Sequence, residues 1–236
     1  MISVSFTLHP NRAANLDAIY EAYENYDIVD EVLVVTGTEV KLNKPTAKFK
    51  FVHMPGPYTY GEWPSFGLLA RYTWALNCKN RYVFMQDDDC FYQEQTMKKL
   101  LSFKSAIAGR RYRWFHNGDY LSTPPDKDLS SSPIILTGGT LVDSWVLPDV
   151  IKYAKMFWKD YQNVFNGEDI FMSQAISYIT GQDEFPIVTD SFTKLPTHNV
   201  SLSKNCNPKK SRIEICKQVY NFFSDLDEKK IKNLLD

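Results

Sequence analysis

The chain has 236 residues, enough for one large α/β domain or two small ones. Hydrophobic residues make up 44% of it and charged residues 23%, a balance that excludes a disordered or fibrous chain. A formal net charge of -1 removes any general electrostatic reason to expect a nucleic-acid partner.

Ile2 to Leu8 reads as a first strand, with neither the basic leader nor the long apolar core of a signal peptide. No segment is long and apolar enough to span a bilayer, so the expectation is a soluble protein, with a cytoplasmic location favoured. Cys78, Cys90, Cys206 and Cys216 lack the spacing of a zinc site and read as unpaired thiols, although a Cys206–Cys216 pair is geometrically conceivable. After His9-Pro10, Asn11 is expected to cap a helix with apolar positions at Leu16, Ile19, Tyr20 and Tyr23. Glu31 to Thr36 is a second strand and Phe49 to Met54 a third. Strands alternating with helices predict a largely parallel sheet.

Pro55 to Pro64, rich in Pro and Gly, must be a loop, and Tyr58, Tyr60 and Trp63 make it a candidate cleft wall. Ser65 to Leu76 returns to helical spacing and carries Arg71, which reads either as a snorkelling arginine or as a phosphate contact. Arg81 to Met85 then forms a short apolar strand that runs directly into Gln86-Asp87-Asp88-Asp89. Unpaired carboxylates are costly in a core but fit the C-terminal edge of a strand, where open α/β sheets place ligands. In extended backbone Asp87 and Asp89 share a face and Asp88 points elsewhere. Two such carboxylates are hard oxygen ligands suited to Mg²⁺ or Mn²⁺; a solvated acidic turn is the plainer reading.

Cys90 to Leu101 is expected to be helical in part, and Ile107 to Trp114 to be the next strand. Asn117 to Pro133 reads as an excursion. Ile134-Ile135-Leu136 is another short strand, leading into Thr137-Gly138-Gly139-Thr140, which lacks the spacing and lysine of a phosphate loop. Paired glycines instead permit close backbone approach. Pro148 starts a helix. Asn166-Gly167-Glu168-Asp169 opens another, where acids also serve as ordinary N-terminal residues, and Gly181 ends it. Phe185 to Thr189 suggests a late edge strand, His198 falls in a polar turn, and Ile213 to Leu235 is helical.

In order and spacing, the first strand into Asn11-Arg12, Val32 to Val35, the Arg71 helix, Asp87-Asp88-Asp89, Gly138-Gly139 and Glu168-Asp169-Ile170 resemble a GT-A-fold nucleotide-sugar glycosyltransferase. The nearest resemblance is to the exostosin-like glycosyltransferase domain, with a more general one to family-two-like enzymes, and it spans Ile2 to His198. It implies an α/β GT-A fold, a single Rossmann-like, mixed and mostly parallel sheet flanked by helices. One domain over 1–236 would have a nucleotide-binding part at about 1–90, an acceptor part at about 91–200 and a helical extension at 201–236.

The resemblance also implies a nucleotide-sugar donor, UDP favoured, a glycan or glycoconjugate acceptor, and Mn²⁺ or Mg²⁺, Mn²⁺ favoured. Asp87 to Asp89 would be the Asp-x-Asp element. Asp89 would hold the metal with His198 and, in one reading, Asp87. Asp87 and Asp88 would contact the donor. Phe6 and Thr7 would line the base pocket, and Arg12 and Arg71 would support the diphosphate. Gly138, Gly139, Thr140 and Trp63 would shape the acceptor side. Glu168 and Asp169 would be the catalytic acids: Asp169 deprotonates the acceptor in an inverting reaction, or steadies positive charge in a retaining one. Two other classes are compatible with the same residues: a nucleotide-sugar-binding protein without transfer activity, and a metal-dependent phosphotransferase or hydrolase.

Overall fold

A computed structural model describes residues 1–37, 39–40, 46–53, 68–110, 112–122, 132–158, 167–197 and 208–235. Its centre is a six-stranded sheet. The strands are β1 (Ile2–Leu8), β2 (Val29–Thr36), β3 (Phe49–His53), β4 (Tyr82–Met85), β6 (Ile107–Gly109) and β10 (Thr140–Asp143). Their order is β3-β2-β1-β4-β10-β6. β3, β2, β1 and β4 run parallel, whereas β10 lies antiparallel between β4 and β6.

Alternation along β1 explains the two layers. Ile2, Val4, Phe6 and Leu8 face a core completed by α1 (Leu16–Glu24) and α3 (Glu94–Ser102), through Leu16, Ile19, Tyr23, Met97 and Leu100. Ser3, Ser5 and Thr7 face the other side, where α2 (Ala70–Ala75) lies against the sheet and Ser5 Oγ donates to Arg71 O at 3.4 Å. The second core gathers Tyr72, Val83, Met85 and Val142 with α4 (Leu147–Phe157), α5 (Glu168–Thr180) and α6 (Pro208–Leu235). Two small sheets flank the main one: β5 (Cys90–Tyr92) with β11 (Phe192–Lys194), and β7 (Tyr112–His116) between β8 (Asp119–Leu121) and β9 (Ser132–Ile135).

Several expectations need correction. Asn11 does not cap a helix. His9 does so with its Nδ1, which accepts from Asn11 N at 3.1 Å, and residues Pro10–Asn15 form a 3-10 turn before α1. Ile107 to Trp114 is not one strand. It breaks after Gly109, where Arg110 N donates to Gly139 O at 3.0 Å, and the chain leaves the main sheet for the small one. Ile134 and Ile135 likewise pair with β7, not with the main sheet. The antiparallel strand that does enter the main sheet, β10, was not expected, because Thr140-Leu141-Val142-Asp143 is too short to announce itself. Cys78, Cys90 and Cys216 are free thiols. Among the described residues no helix is long and apolar enough to cross a membrane. Tyr58, Tyr60, Trp63, His198 and Cys206 lie outside the described residues.

Candidate active site

The acidic turn sits where β4 ends, level with the ends of β1 and β2. Ser5 pairs with Met85, so Thr7 falls level with Asp87. The turn is held from below by buried amides and a phenol. Gln86 N donates to Ser5 O at 3.3 Å, and Gln86 Nε2 donates to Cys90 O at 2.9 Å. Tyr23 OH donates to Gln86 Oε1 and accepts from Tyr92 N at 3.2 Å. The four residues from Asp87 to Cys90 are thus spanned at both ends by fixed groups.

The three acids have different surroundings. Asp87 is the open one, its side chain 44% exposed, with Arg71 Nη1 at 3.0 Å. Asp89 is 23% exposed and has Arg12 Nη2 at 3.5 Å. Asp88 is turned into the fold, 2% exposed, where it pairs with Arg12 Nη1 and accepts from His9 N at 2.7 Å. Burial raises the pKa of both Asp88 and Asp89, opposed by the charge of Arg12.

Arg71 is buried, and its Nη1 reaches Asp87, Gln86 O at 3.3 Å and Thr137 Oγ1 at 3.4 Å. Burial disfavours its charge, but Asp87 and the neighbouring Tyr72 and Glu168 outweigh that and keep it protonated. Among the described residues Arg71 Nε and Thr7 Oγ1 are buried with no hydrogen-bond partner. A buried donor left unpaired costs about 1–3 kcal/mol, so two of them beside an open carboxylate are unspent binding capacity.

Gly138 and Gly139 close the wall opposite Arg71. A side chain at Gly138 would begin 2.8 Å from Asp87 Oδ2, and one at Gly139, whose φ is +99°, would begin 2.7 Å from the Tyr92 ring. Tyr92 OH donates to Gly138 O at 2.7 Å and locks this wall to β5.

Glu168 and Asp169 open α5 and are both buried. Gly167, at φ +84°, makes this start possible, and a side chain there would meet Ile215 of α6 at 2.7 Å. The two acids have different neighbours. Glu168 is pushed up to about 8 by burial and by Asp169, opposed by Arg71 and raised further by Asp87. Asp169 is raised by burial and opposed chiefly by Arg212 of α6, with its Oδ1 accepting from Ile170 N at 2.8 Å. Both acids feel Arg71; Glu168 also feels Asp87 of the acidic turn, whereas Asp169 feels Arg212 most and raises Tyr120 and Cys216.

Two expected site residues are core residues. The Phe6 ring is fully buried in the core that also holds Ile19, Tyr23 and Met97. Thr140 is fully buried, and its Oγ1 donates to Leu136 O at 2.7 Å. Their direction follows from the alternation of β1 and from the unforeseen strand β10. Sequence reasoning missed Gln86, Tyr23, Asn15 and Tyr92, which hold the turn. The only signal was the polar Gln86 ending an apolar run.

Asp87 and Asp89 supply two oxygen donors at one open edge. Among the described residues no group of three His, Cys, Asp or Glu side chains converges as a metal cage. Mg²⁺-type sites need no such cage: one or two carboxylates, waters and substrate phosphates suffice, so the residues present fit a cation delivered with a diphosphate.

No family model and no curated protein matches the chain. Among solved structures, S. aureus TarS 1-349 has 14% identity and a TM-score of 0.51, covering 94% of this chain and 71% of that one. The 4-diphosphocytidyl-2C-methyl-D-erythritol synthase of Anaerococcus prevotii has 12% identity and a TM-score of 0.48, over 93% and 96% of the two chains. The 2-C-methyl-D-erythritol 4-phosphate cytidylyltransferase of Francisella tularensis has 14% identity and a TM-score of 0.47, over 92% and 99%. The TarS likeness is one of architecture: a mixed, mostly parallel sheet flanked by helices, of GT-A-like form.

Proposed function

We propose that this chain is a metal-dependent glycosyltransferase, moving a sugar from a nucleotide-sugar donor, UDP favoured, to a hydroxyl of a glycan or glycoconjugate. The observation that carries it is the site at the end of β4. There the open Asp87 lies 3.0 Å from buried Arg71 and level with Thr7, whose Nε and Oγ1 have no partner among the described residues, and the half-buried Asp89 follows two residues on, beside Arg12. A diphosphate needs that combination of cation ligands and buried donors. The GT-A-like architecture supports the reading by placing these groups at the sheet edge where nucleotides bind in open α/β folds.

Asp87 and Asp89 would hold Mn²⁺ or Mg²⁺, Mn²⁺ favoured, as expected for the Asp-x-Asp resemblance. Bound there, the cation supplies electrophilic support for the charge on the departing diphosphate. Arg71 adds a fixed positive charge beside it. Thr7 Oγ1 and Arg71 Nε orient the donor. Gly138 keeps a side chain out of the space next to Asp87, and Gly139 lets the backbone pass close to Tyr92.

In the inverting course Glu168 is the base, because its field is shared with Arg71 and Asp87. The acceptor oxygen bonds to the anomeric carbon, the bond from that carbon to the phosphate oxygen breaks, and the acceptor proton passes to the Glu168 carboxylate. Burial raises the pKa of Asp169, opposed chiefly by Arg212, and it has no proton-transfer role in this course.

The test is a panel of nucleotide sugars with Mn²⁺ or Mg²⁺ and an acceptor library, read by mass spectrometry. Sugar transfer that Asp89→Asn abolishes is the expected result. Donor binding without transfer would favour a binding protein, and phosphate release without sugar transfer a phosphotransferase or hydrolase. Inverted anomeric configuration in the product is expected; retention would remove Glu168 from the role of base.

A further inference from the structure

The buried side of the acidic turn carries a network that the reaction above does not use. Arg12 ties together three distant segments. Its Nη1 pairs with Asp88, its Nη2 lies 3.5 Å from Asp89 Oδ2, and its Nε donates to Thr197 O at 3.2 Å. Asn15 repeats the pattern with one amide: its Nδ2 donates to Asp88 O at 3.0 Å and to Pro196 O at 2.9 Å. Leu195 N adds a third tie, donating to Asp89 O at 2.7 Å. Arg12 and Asn15 belong to the 3-10 turn and are both buried. Neither has the open face of Asp87.

We propose that Arg12 and Asn15 are positioning residues for the cation site, a clasp that fixes the Asp89 carboxylate and the 195–197 segment relative to Asp87. The inference rests on the cation reading of Asp87 and Asp89 and gives Arg12 a different task from donor binding. The physical case is a charge argument and a geometry argument. Three successive carboxylates repel one another, and a guanidinium between Asp88 and Asp89 offsets that repulsion without occupying Asp87. A planar fork with separate donors for Asp88, Asp89 and Thr197 O also fixes direction, which a lysine ammonium does not. A metal that meets two carboxylates already aimed at it loses less to ordering them. Groups that orient ligands in this way typically carry 10–100-fold in metal affinity.

The experiment is Mn²⁺ titration of the full chain with UDP present, read by the electron paramagnetic resonance signal of free Mn²⁺ against a UDP-only control. The unaltered protein, Arg12→Lys, Asn15→Ala and Asp89→Asn are compared at a temperature where circular dichroism shows all of them folded. Arg12→Lys and Asn15→Ala are expected to weaken Mn²⁺ binding by roughly 10–100-fold while both carboxylate ligands remain. Arg12→Lys keeps the charge and carries the test if Asn15→Ala does not fold. Folded variants that bind Mn²⁺ as the unaltered protein does would overturn the clasp and leave the cation site standing. An unaltered protein that binds no Mn²⁺, or an Asp89→Asn variant that binds it equally well, would overturn the cation site and the clasp with it.

Discussion

Thr7 and Arg71 each hold a buried polar atom in reserve, and for Thr7 this has a measurable consequence. Thr7→Val keeps the shape of the side chain and removes a hydroxyl that has no partner. The variant should be more stable by about 1 kcal/mol in urea unfolding, and its KM for the nucleotide donor should rise, the trade expected where a site is built at the expense of the fold. A second single-residue effect concerns pH. The folded pKa of Glu168 lies near 8, above the ordinary carboxylate value, because of burial and Asp169. The native state therefore holds a proton that the unfolded state releases, and the stability this provides is complete below the unfolded pKa and lost as pH rises through about 8. Glu168→Gln should flatten the stability profile between those limits. For transfer the sign is opposite: the rate should climb with pH as Glu168 ionises, and that limb should vanish in the variant.

Among elements, the short strand β4 depends on partners far away in the chain. Tyr23, on α1, supports both ends of the acidic turn through Gln86 and the backbone of Tyr92. Tyr23→Phe leaves Gln86 Oε1 and Tyr92 N without that partner, at a cost of about 1–3 kcal/mol of stability measured by denaturant unfolding. Burial holds the Tyr23 hydroxyl well above its ordinary pKa, so it acts as a neutral donor throughout the usual pH range. The placement of β10 matters as much. It brings Gly138 against Asp87 and Gly139 against Tyr92, and its short run offered only four residues of pattern to find it by.

Over the whole molecule, polar chemistry is divided between the two ends of the sheet. At the end opposite the acidic turn, buried Glu31 accepts from Ser3 Oγ at 2.6 Å, Lys50 Nζ at 2.6 Å and Lys79 N at 2.9 Å. Burial acts to raise its pKa, but these bonds outweigh it and the net shift is downward. A depressed folded pKa contributes stability above the unfolded pKa, lost as pH falls through the folded one. Glu31→Gln should thus be less stable than the parent at neutral pH, with the gap closing in acid; equal stabilities at neutral pH would contradict this. Every donor around Glu31 is spent within the fold, whereas the opposite end keeps Asp87 open and two donors idle. That asymmetry fits the proposal of a ligand at one end of the sheet and support at the other.

The sequence by itself determined the type of the longer elements and the location of the acids. The period-two run of β1, the apolar run ending in Asp87-Asp88-Asp89 and the glycine before Glu168 are local patterns, because they depend on sterics and burial within a few residues. The α/β class follows from their alternation. Tertiary structure alone decided what each acid does. Asp88 is consumed by Arg12, 76 residues earlier in the chain, while Asp87 stays open. Glu168 feels Asp87 as well as Arg71, while Asp169 is opposed chiefly by Arg212, although the two acids are adjacent. Phe6 and Thr7 are neighbours too, one in the core and one at the site. Adjacent residues on a helix or strand point in different directions, and what waits in each direction is set by segments distant in sequence, which no local pattern encodes.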